Sequence, residues 1–124
     1  MESSEAITAL GALAQETRLK VFRLLVEVGT EGLPAGRIAK DLELPLATLS
    51  FHLNSLKQAG LIEFRRASRL LIYSANFEVM NGLLAYLTEN CCGGDQARCA
   101  VAICAPEKDP WQKRKRARKT SPAA

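Results

Sequence analysis

Apolar residues recur at helical spacing through the first half of the chain. The pattern predicts helices over residues 4–14, 17–28, 34–43 and 45–59. The apolar positions that mark them are Ile7, Leu10, Leu13 and Ala14; Leu19, Phe22, Leu25, Val26 and Val28; Ile38, Ala39 and Leu42; and Leu46, Leu49, Leu53 and Leu56. Gly29, Pro45 and Gly60 stand at the predicted breaks, because glycine favours helix ends and proline disfavours helical backbone in the residue before it.

Beyond Gly60 the spacing of apolar residues shortens from the helical period toward two. This change predicts a β-hairpin of two strands, residues 61–66 and 69–74, joined by Ala67-Ser68. Asn76 is suited to cap a last helix over residues 77–90, which Cys91-Cys92-Gly93-Gly94 would end.

The order of elements is helix, helix, short helix, helix, hairpin, helix. Two helices joined by a tight turn and followed by a basic hairpin predict a mainly α fold with a β-hairpin wing (α+β), the winged helix-turn-helix. In this arrangement the second helix of the pair enters the major groove of DNA, and the hairpin reaches the flanking backbone. The elements therefore predict a protein whose partner is double-stranded DNA.

The helix over residues 45–59 carries small, hydroxyl and amide side chains opposite its leucines, as suits a surface that approaches base edges. The residues expected to face DNA are Thr48, Ser50, Phe51, His52, Asn54 and Ser55. Phe51 has two interpretations, contact with a thymine methyl or burial under neighbouring elements. His52, the only histidine, is expected to be a hydrogen-bonded group rather than a metal ligand, since no second ligand stands at the required spacing. Arg65, Arg66 and Arg69 flank the hairpin and are expected to contact phosphates or the minor groove; the alternative is plain solvation.

Composition is that of one soluble domain: 124 residues, 48% apolar and 24% charged. No apolar run approaches the ~20 residues of a membrane span. The N-terminus has no basic segment ahead of an apolar core, so we expect a cytoplasmic protein with reduced thiols and no membrane partner. The sequence has no Gly-rich phosphate loop and no carboxylate constellation, so we expect neither an enzyme nor an organic cofactor.

The net charge of +4 arises from a basic run at residues 113–119. We expect a DNA-binding and dimerisation domain over residues 1–92, followed by a cysteine-containing segment and a disordered basic tail over residues 93–124.

Three stretches resemble the ArsR (ArsR/SmtB) family of bacterial winged-helix metalloregulators. They are Glu16-Thr17-Arg18-Leu19-Lys20-Val21-Phe22-Arg23-Leu24-Leu25, then Ile38-Ala39, then the run from Leu49-Ser50-Phe51-His52-Leu53 to Ala59-Gly60-Leu61-Ile62. The resemblance implies a homodimeric repressor that leaves its operator when an inducer binds. The apolar residues of the terminal helices are expected to form the dimer interface: Ile7, Leu10, Met80, Leu83, Leu84 and Leu87. One family pattern is absent, because the stretch Gly32–Arg37 holds no thiol where many arsenic sensors carry a Cys-Val-Cys-type motif.

All four cysteines lie in a window of 14 residues: Cys91, Cys92, Cys99 and Cys104. Three thiolates complete the coordination shell of trivalent arsenic or antimony. Zinc or cadmium takes four ligands, and Cys104 could be the fourth. Inert thiols, a redox pair and buried cysteines are further interpretations. The Thr88–Gly94 run also resembles the C-terminal arsenic site of one branch of the family, a vicinal pair plus a downstream cysteine. Cys99 is favoured over Cys104 as the third ligand because its loop is shorter.

Taken together, the sequence predicts a repressor of an arsenic-resistance operon, released from DNA by As(III) or Sb(III). The alternatives are a regulator that senses zinc, cadmium or thiol oxidation through the same cysteines, and an arsenical-processing thiol enzyme. The sequence leaves open the choice between inorganic and methylated arsenic.

Overall fold

The computed structural model describes residues 1–94, so that Cys99, Cys104 and the basic run lie outside the described residues. The chain divides into a compact unit of Met1–Tyr86 and a second unit, Leu87–Ala124, which is described only as far as Gly94. The helices are α1 (Ser3–Leu13), α2 (Glu16–Val28), α3 (Ala35–Leu42), α4 (Leu46–Gln58) and α5 (Phe77–Leu87). The strands are β1 (Leu33–Pro34), β2 (Ile62–Ala67) and β3 (Leu70–Ala75); short 3-10 turns lie at Gly29–Glu31 and Cys91–Gly94. Within residues 1–94, no helix is long and apolar enough to cross a membrane.

The first helix packs through alanines rather than through its larger residues. Ala6, Ala9 and Ala12 are buried in the core, whereas Ile7 is 66% exposed. Small side chains let the helix backbone lie close to its neighbours, and the larger residues of the next stripe are left outside. A reciprocal pair of hydrogen bonds between Glu2 and Glu5 caps the start of α1.

Two consecutive helices meet at a turn whose ends are fixed by local hydrogen bonds. Glu43 adopts the left-handed conformation (φ 54°), and the amide of Leu44 donates to the carbonyl of Ala39 at 2.9 Å, which ends α3. Pro45 marks the break between the two helices, as predicted, and α4 begins one residue later than predicted, at Leu46. The same type of ending recurs after α4, where Gly60 has φ +79° and the amide of Leu61 donates to Leu56 at 3.0 Å.

The hairpin is part of a three-stranded antiparallel sheet of order β1-β3-β2. Ala67 pairs with Leu70, so the turn residues are Ser68 and Arg69. The prediction of Ala67-Ser68 was wrong by one residue, because Ser68 takes the positive φ (60°) that a two-residue turn requires. The two-residue strand β1, which pairs with Tyr73 and Ile72, was not predicted.

The last helix begins as the sequence indicates and ends earlier than predicted. The side-chain oxygen of Asn76 accepts a hydrogen bond from the amide of Val79 at 3.2 Å, which confirms the cap. The helix ends at Leu87 rather than residue 90, and a turn with Asn90 at φ 57° leads to the cysteine pair. The core collects apolar residues from all five helices and the sheet: Ala6, Ala9, Ala12, Val21, Phe22, Leu25, Ile38, Ala39, Leu49, Leu53, Leu56, Leu61, Ile62, Ala75 and Leu83.

Candidate nucleic-acid interface and thiol pair

One side of α4 is buried and the opposite side is open to solvent. Leu49, Leu53 and Leu56 anchor the helix in the core, and this fixes which side chains point outward. The exposed residues between the two ends of the helix include Ala47, Thr48, Ser50, Phe51, Asn54 and Gln58. Leu46, predicted on the leucine stripe, is also exposed because it stands at the first turn, beyond the core contacts. The result is a ridge of short side chains with one large aromatic ring.

Ser55 and Phe51, in the middle of α4, differ in how much of each side chain is available to a ligand. Ser55 is half-buried, and its hydroxyl donates to the carbonyl of Phe51 at 3.2 Å, so its hydrogen is already used within the helix. Phe51 is 65% exposed, so burial under neighbouring elements, one of its two interpretations, is wrong. Its ring meets the His52 ring edge-on, with centroids 5.5 Å apart and planes at 76°.

His52 does not belong to the outward face on which it was predicted. It is only 9% exposed, since it lies one turn from both Leu49 and Leu56 on the core side of α4. Its Nδ1 accepts a hydrogen bond from Nε of Arg18 at 3.4 Å, and Nη1 of Arg18 donates to the carbonyl of Ala12 at 3.4 Å. The histidine thus ties α4 to the start of α2 and the end of α1, which agrees with the expectation of a hydrogen-bonded group.

The three hairpin arginines are exposed but serve different contacts. Arg65 donates to the carbonyl of Glu31 at 2.8 Å and to that of Thr30 at 3.4 Å, so its guanidinium braces the turn ahead of β1. Arg66 lies on β2, and Arg69 sits in the turn at the tip. Arg66 and Arg69 are therefore the two whose positive charges are presented by the hairpin itself.

A contact between α4 and the hairpin fixes their relative position. Nζ of Lys57 lies 4.7 Å from the centre of the Phe64 ring, a cation–π contact, and Phe64 in turn packs against Tyr73 at 6.0 Å. Lys57 thereby holds a positive charge at the end of α4, in contact with the hairpin that carries Arg66 and Arg69. This arrangement, a short-side-chain ridge flanked by cations, is suited to a groove lined by phosphates.

The two described cysteines form a close pair. The sulfurs of Cys91 and Cys92 are 3.5 Å apart, too far for the ~2.05 Å of a disulfide bond. Both residues are half-buried, and Cys92 has a left-handed backbone with φ 56°. Within residues 1–94 no group of three or more His, Cys, Asp or Glu side chains is placed to hold a metal. The predicted third and fourth ligands, Cys99 and Cys104, lie outside the described residues.

The predicted dimer residues divide into exposed and buried sets. Ile7, Leu10, Leu84 and Leu87 are exposed, and Met80 is partly buried. Leu83 is 6% exposed and belongs to the core of its own chain, so its side chain is not offered to a partner. Leu83 was therefore wrongly predicted at the interface, because α5 turns one row of its broad apolar face inward and leaves the next outside.

Comparison with known proteins agrees with this geometry. A family model described as a helix-turn-helix domain matches residues 13–64, which span α2 to α4. The transcriptional activator HlyU of Vibrio cholerae is 28% identical over 94 residues, which cover 76% of this chain and 84% of that protein. The cadmium resistance transcriptional regulatory protein CadC of Listeria innocua is 34% identical over 70 residues, covering 56% of this chain and 57% of that protein.

A solved structure gives the same architecture. The homodimeric winged helix-turn-helix DNA-binding domain of Mb0332 from Mycobacterium bovis, a possible ArsR-family transcriptional regulator, matches with a TM-score of 0.57 and 25% identity. The match covers 75% of this chain and 86% of that one. The chain is thus a winged helix-turn-helix protein related to transcriptional regulators of the HlyU, CadC and ArsR type.

Proposed function

We propose that this protein is a homodimeric repressor of an arsenic-resistance operon, which binds operator DNA through α4 and the hairpin. Trivalent arsenic or antimony, bound by Cys91, Cys92 and a third thiolate, releases it from DNA. The observation that carries the DNA-binding part is the exposed polar face of α4, whose Lys57 contacts Phe64 of the hairpin that also bears Arg66 and Arg69. Thr48, Ser50, Phe51 and Asn54 supply the base-facing groups, whereas the buried His52 acts only through its neighbours.

The dimer is proposed to form through the exposed apolar residues of the terminal helices. Ile7 and Leu10 on α1 and Leu84 on α5 leave apolar surface in water, and a twofold interface buries each such patch twice. A dimer also matches the geometry of operators with two half-sites, because two α4 helices spaced about 34 Å apart engage half-sites that are one turn of DNA apart.

Arsenic sensing is supported by the sulfur pair. Two sulfurs 3.5 Å apart are already close enough to share one soft ion, and As(III) needs one more thiolate. Cys91 follows the last residue of α5 by four positions, so ligand binding there acts on the end of a helix proposed to lie in the interface. A hundredfold loss of operator affinity requires about 2.7 kcal/mol of coupling between the two sites, within the usual range.

A different inducer for the same site is the second candidate. The CadC relatives are named for cadmium resistance, and a soft thiolate site also takes cadmium. A similar solved structure is that of reduced HlyU from Vibrio cholerae. Thiol oxidation is therefore a third signal to test beside arsenic and cadmium.

The experiment uses the full chain. Duplexes are selected from a random pool, and mobility shifts are measured with arsenite, antimonite, cadmium, zinc or hydrogen peroxide added at equal concentrations. We expect arsenite and antimonite to release the DNA at the lowest concentration. The single variants Cys91→Ser, Cys92→Ser and Cys99→Ser should bind DNA normally and fail to release it, while Cys104→Ser serves as the matched control that still responds. Arsenite release by the Cys91→Ser, Cys92→Ser double variant would contradict the site.

A further inference from the structure

The aromatic ring of Phe51 stands nearly alone among short side chains on the exposed face of α4. Its neighbours one turn away, Ala47 and Ser55, are small, and Asn54 beside it is short. The ring therefore projects beyond the rest of the face and would be the first group to meet a surface laid against the middle of the helix. An aromatic ring in water offers a large apolar area whose burial stabilises a complex.

The exposed ring has one ordered neighbour. It meets the His52 ring edge-on, with 5.5 Å between centroids. His52 is itself fixed by burial and by its hydrogen bond from Arg18. A contact of this kind reduces the conformational entropy that the Phe51 side chain loses on binding.

We infer that Phe51 reads a thymine in each half-site of the operator by packing on its C5 methyl group. Thymine is the only base that presents an apolar group in the major groove, and the other base edges present polar atoms that a phenyl ring cannot pair. The inference rests on the proposed DNA binding and deepens it, since it names one base that the protein recognises and the residue responsible.

DNA is the occupant of this face that the surrounding residues favour. Phe51 lies within the matched helix-turn-helix segment, residues 13–64. Ser50 and Asn54 flank the ring with groups that can hydrogen-bond to base edges, and Lys57, one turn from Asn54, adds an exposed positive charge over the Phe64 ring. A protein partner that used this apolar ring would not need cations beside it.

The test removes the methyl group alone. In a duplex selected by the full chain, each thymine is replaced in turn by deoxyuridine, which keeps the base pair and lacks only the methyl. We expect wild-type affinity to fall about fourfold at one position in each half-site, the value of one buried methyl group. Replacement of both positions should cost about sixteenfold.

Variants assign the loss to the residue. Phe51→Ala should bind thymine and deoxyuridine duplexes equally, whereas Leu46→Ala, which removes the other exposed large apolar side chain of α4, should keep the full penalty. Circular dichroism checks that each variant is folded. If Phe51→Ala binds DNA too weakly to measure, Phe51→Leu replaces it; this variant retains an apolar contact and should keep part of the deoxyuridine penalty.

Three results overturn the inference. These are a wild type insensitive to deoxyuridine at every position, a Phe51→Ala variant as sensitive as the wild type, or a penalty that Leu46→Ala removes instead. Failure of the wild type to select any duplex refutes the proposed function itself, and the thymine contact with it.

Discussion

Two glycines on either side of the turn ahead of β1 form a matched pair for a stability measurement. Gly29 has φ 85° and ψ −157°, and Gly32 has φ 72° and ψ −177°, a region that is almost exclusive to glycine. Alanine at either position therefore carries a backbone cost of about 1–3 kcal/mol. The two sites differ only in what the new methyl group meets.

At Gly29 a Cβ atom meets nothing within 4 Å, whereas at Gly32 it overlaps the backbone oxygen of Tyr73 and lies 2.9 Å from Cγ2 of Ile72. A backbone oxygen in a strand cannot rotate away, so β1 must separate from β3 to relieve the overlap. Overpacking of this kind costs about 1–3 kcal/mol beyond the backbone term. We expect Gly32→Ala to lower the free energy of unfolding by about 2 kcal/mol more than Gly29→Ala.

Urea denaturation of both variants measures the difference, with the free energy of unfolding extrapolated to water and the slope compared between variants. An unchanged slope shows that both variants unfold from a native state of similar compactness. Equal destabilisation, within about 0.5 kcal/mol, would refute the reasoning, because it would mean that the Gly32 site has room that the structure does not show.

Other substitutions test the hairpin, the interface and the buried histidine. Arg69→Ala should reduce the salt dependence of DNA affinity by a slope of about 1 and leave stability unchanged. Arg65→Ala, unlike Arg69→Ala, should lower thermal stability, because the Arg65 guanidinium donates hydrogen bonds to carbonyls of the turn ahead of β1. Identical thermal unfolding of Arg65→Ala and Arg69→Ala would argue against this role. Ile7→Glu should convert the dimer to a monomer in sedimentation velocity, an expectation that fails if the wild type is already monomeric at micromolar concentration. Arg18→Met should lower the free energy of unfolding by about 1–3 kcal/mol, since it leaves Nδ1 of His52 buried without its donor; a urea midpoint equal to that of the wild type would count against this role.

The helices and their ends were largely predictable because local chemistry decides them. Pro45 and Gly60 bound α4 through backbone restrictions that belong to single residues, and Asn76 caps α5 through its own side chain. The strand β1 was not predictable, since its two residues are extended only because β3 lies beside them. The turn was misplaced by one residue because Ser68, unlike glycine or asparagine, gives little signal for a positive φ.

The candidate site was predicted in outline, and its exceptions come from tertiary packing. The outward position of Asn54 follows from the leucine stripe alone, whereas the stripe left open whether neighbouring elements cover Phe51. His52 lies one turn from Leu49 and Leu56 on the core side of the helix, but its hydrogen-bond donor Arg18 is 34 residues away in sequence and could not be identified from the helix pattern. Leu83 and Ile7 show the same limit, because only the packed helices decide which of two apolar rows enters the core.

Sequence-specific reading of DNA by α4 can be measured directly as a ratio of two affinities. Fluorescence anisotropy gives the affinity of the full chain for a selected duplex and for a shuffled duplex of equal composition, at one salt concentration. The wild type should prefer the selected duplex by at least about 10³-fold. The Ser50→Ala, Asn54→Ala double variant should lose most of this preference, while Arg69→Ala should weaken both affinities and keep the ratio. Equal binding of both duplexes by the wild type, or an undiminished ratio in the double variant, would contradict the claim.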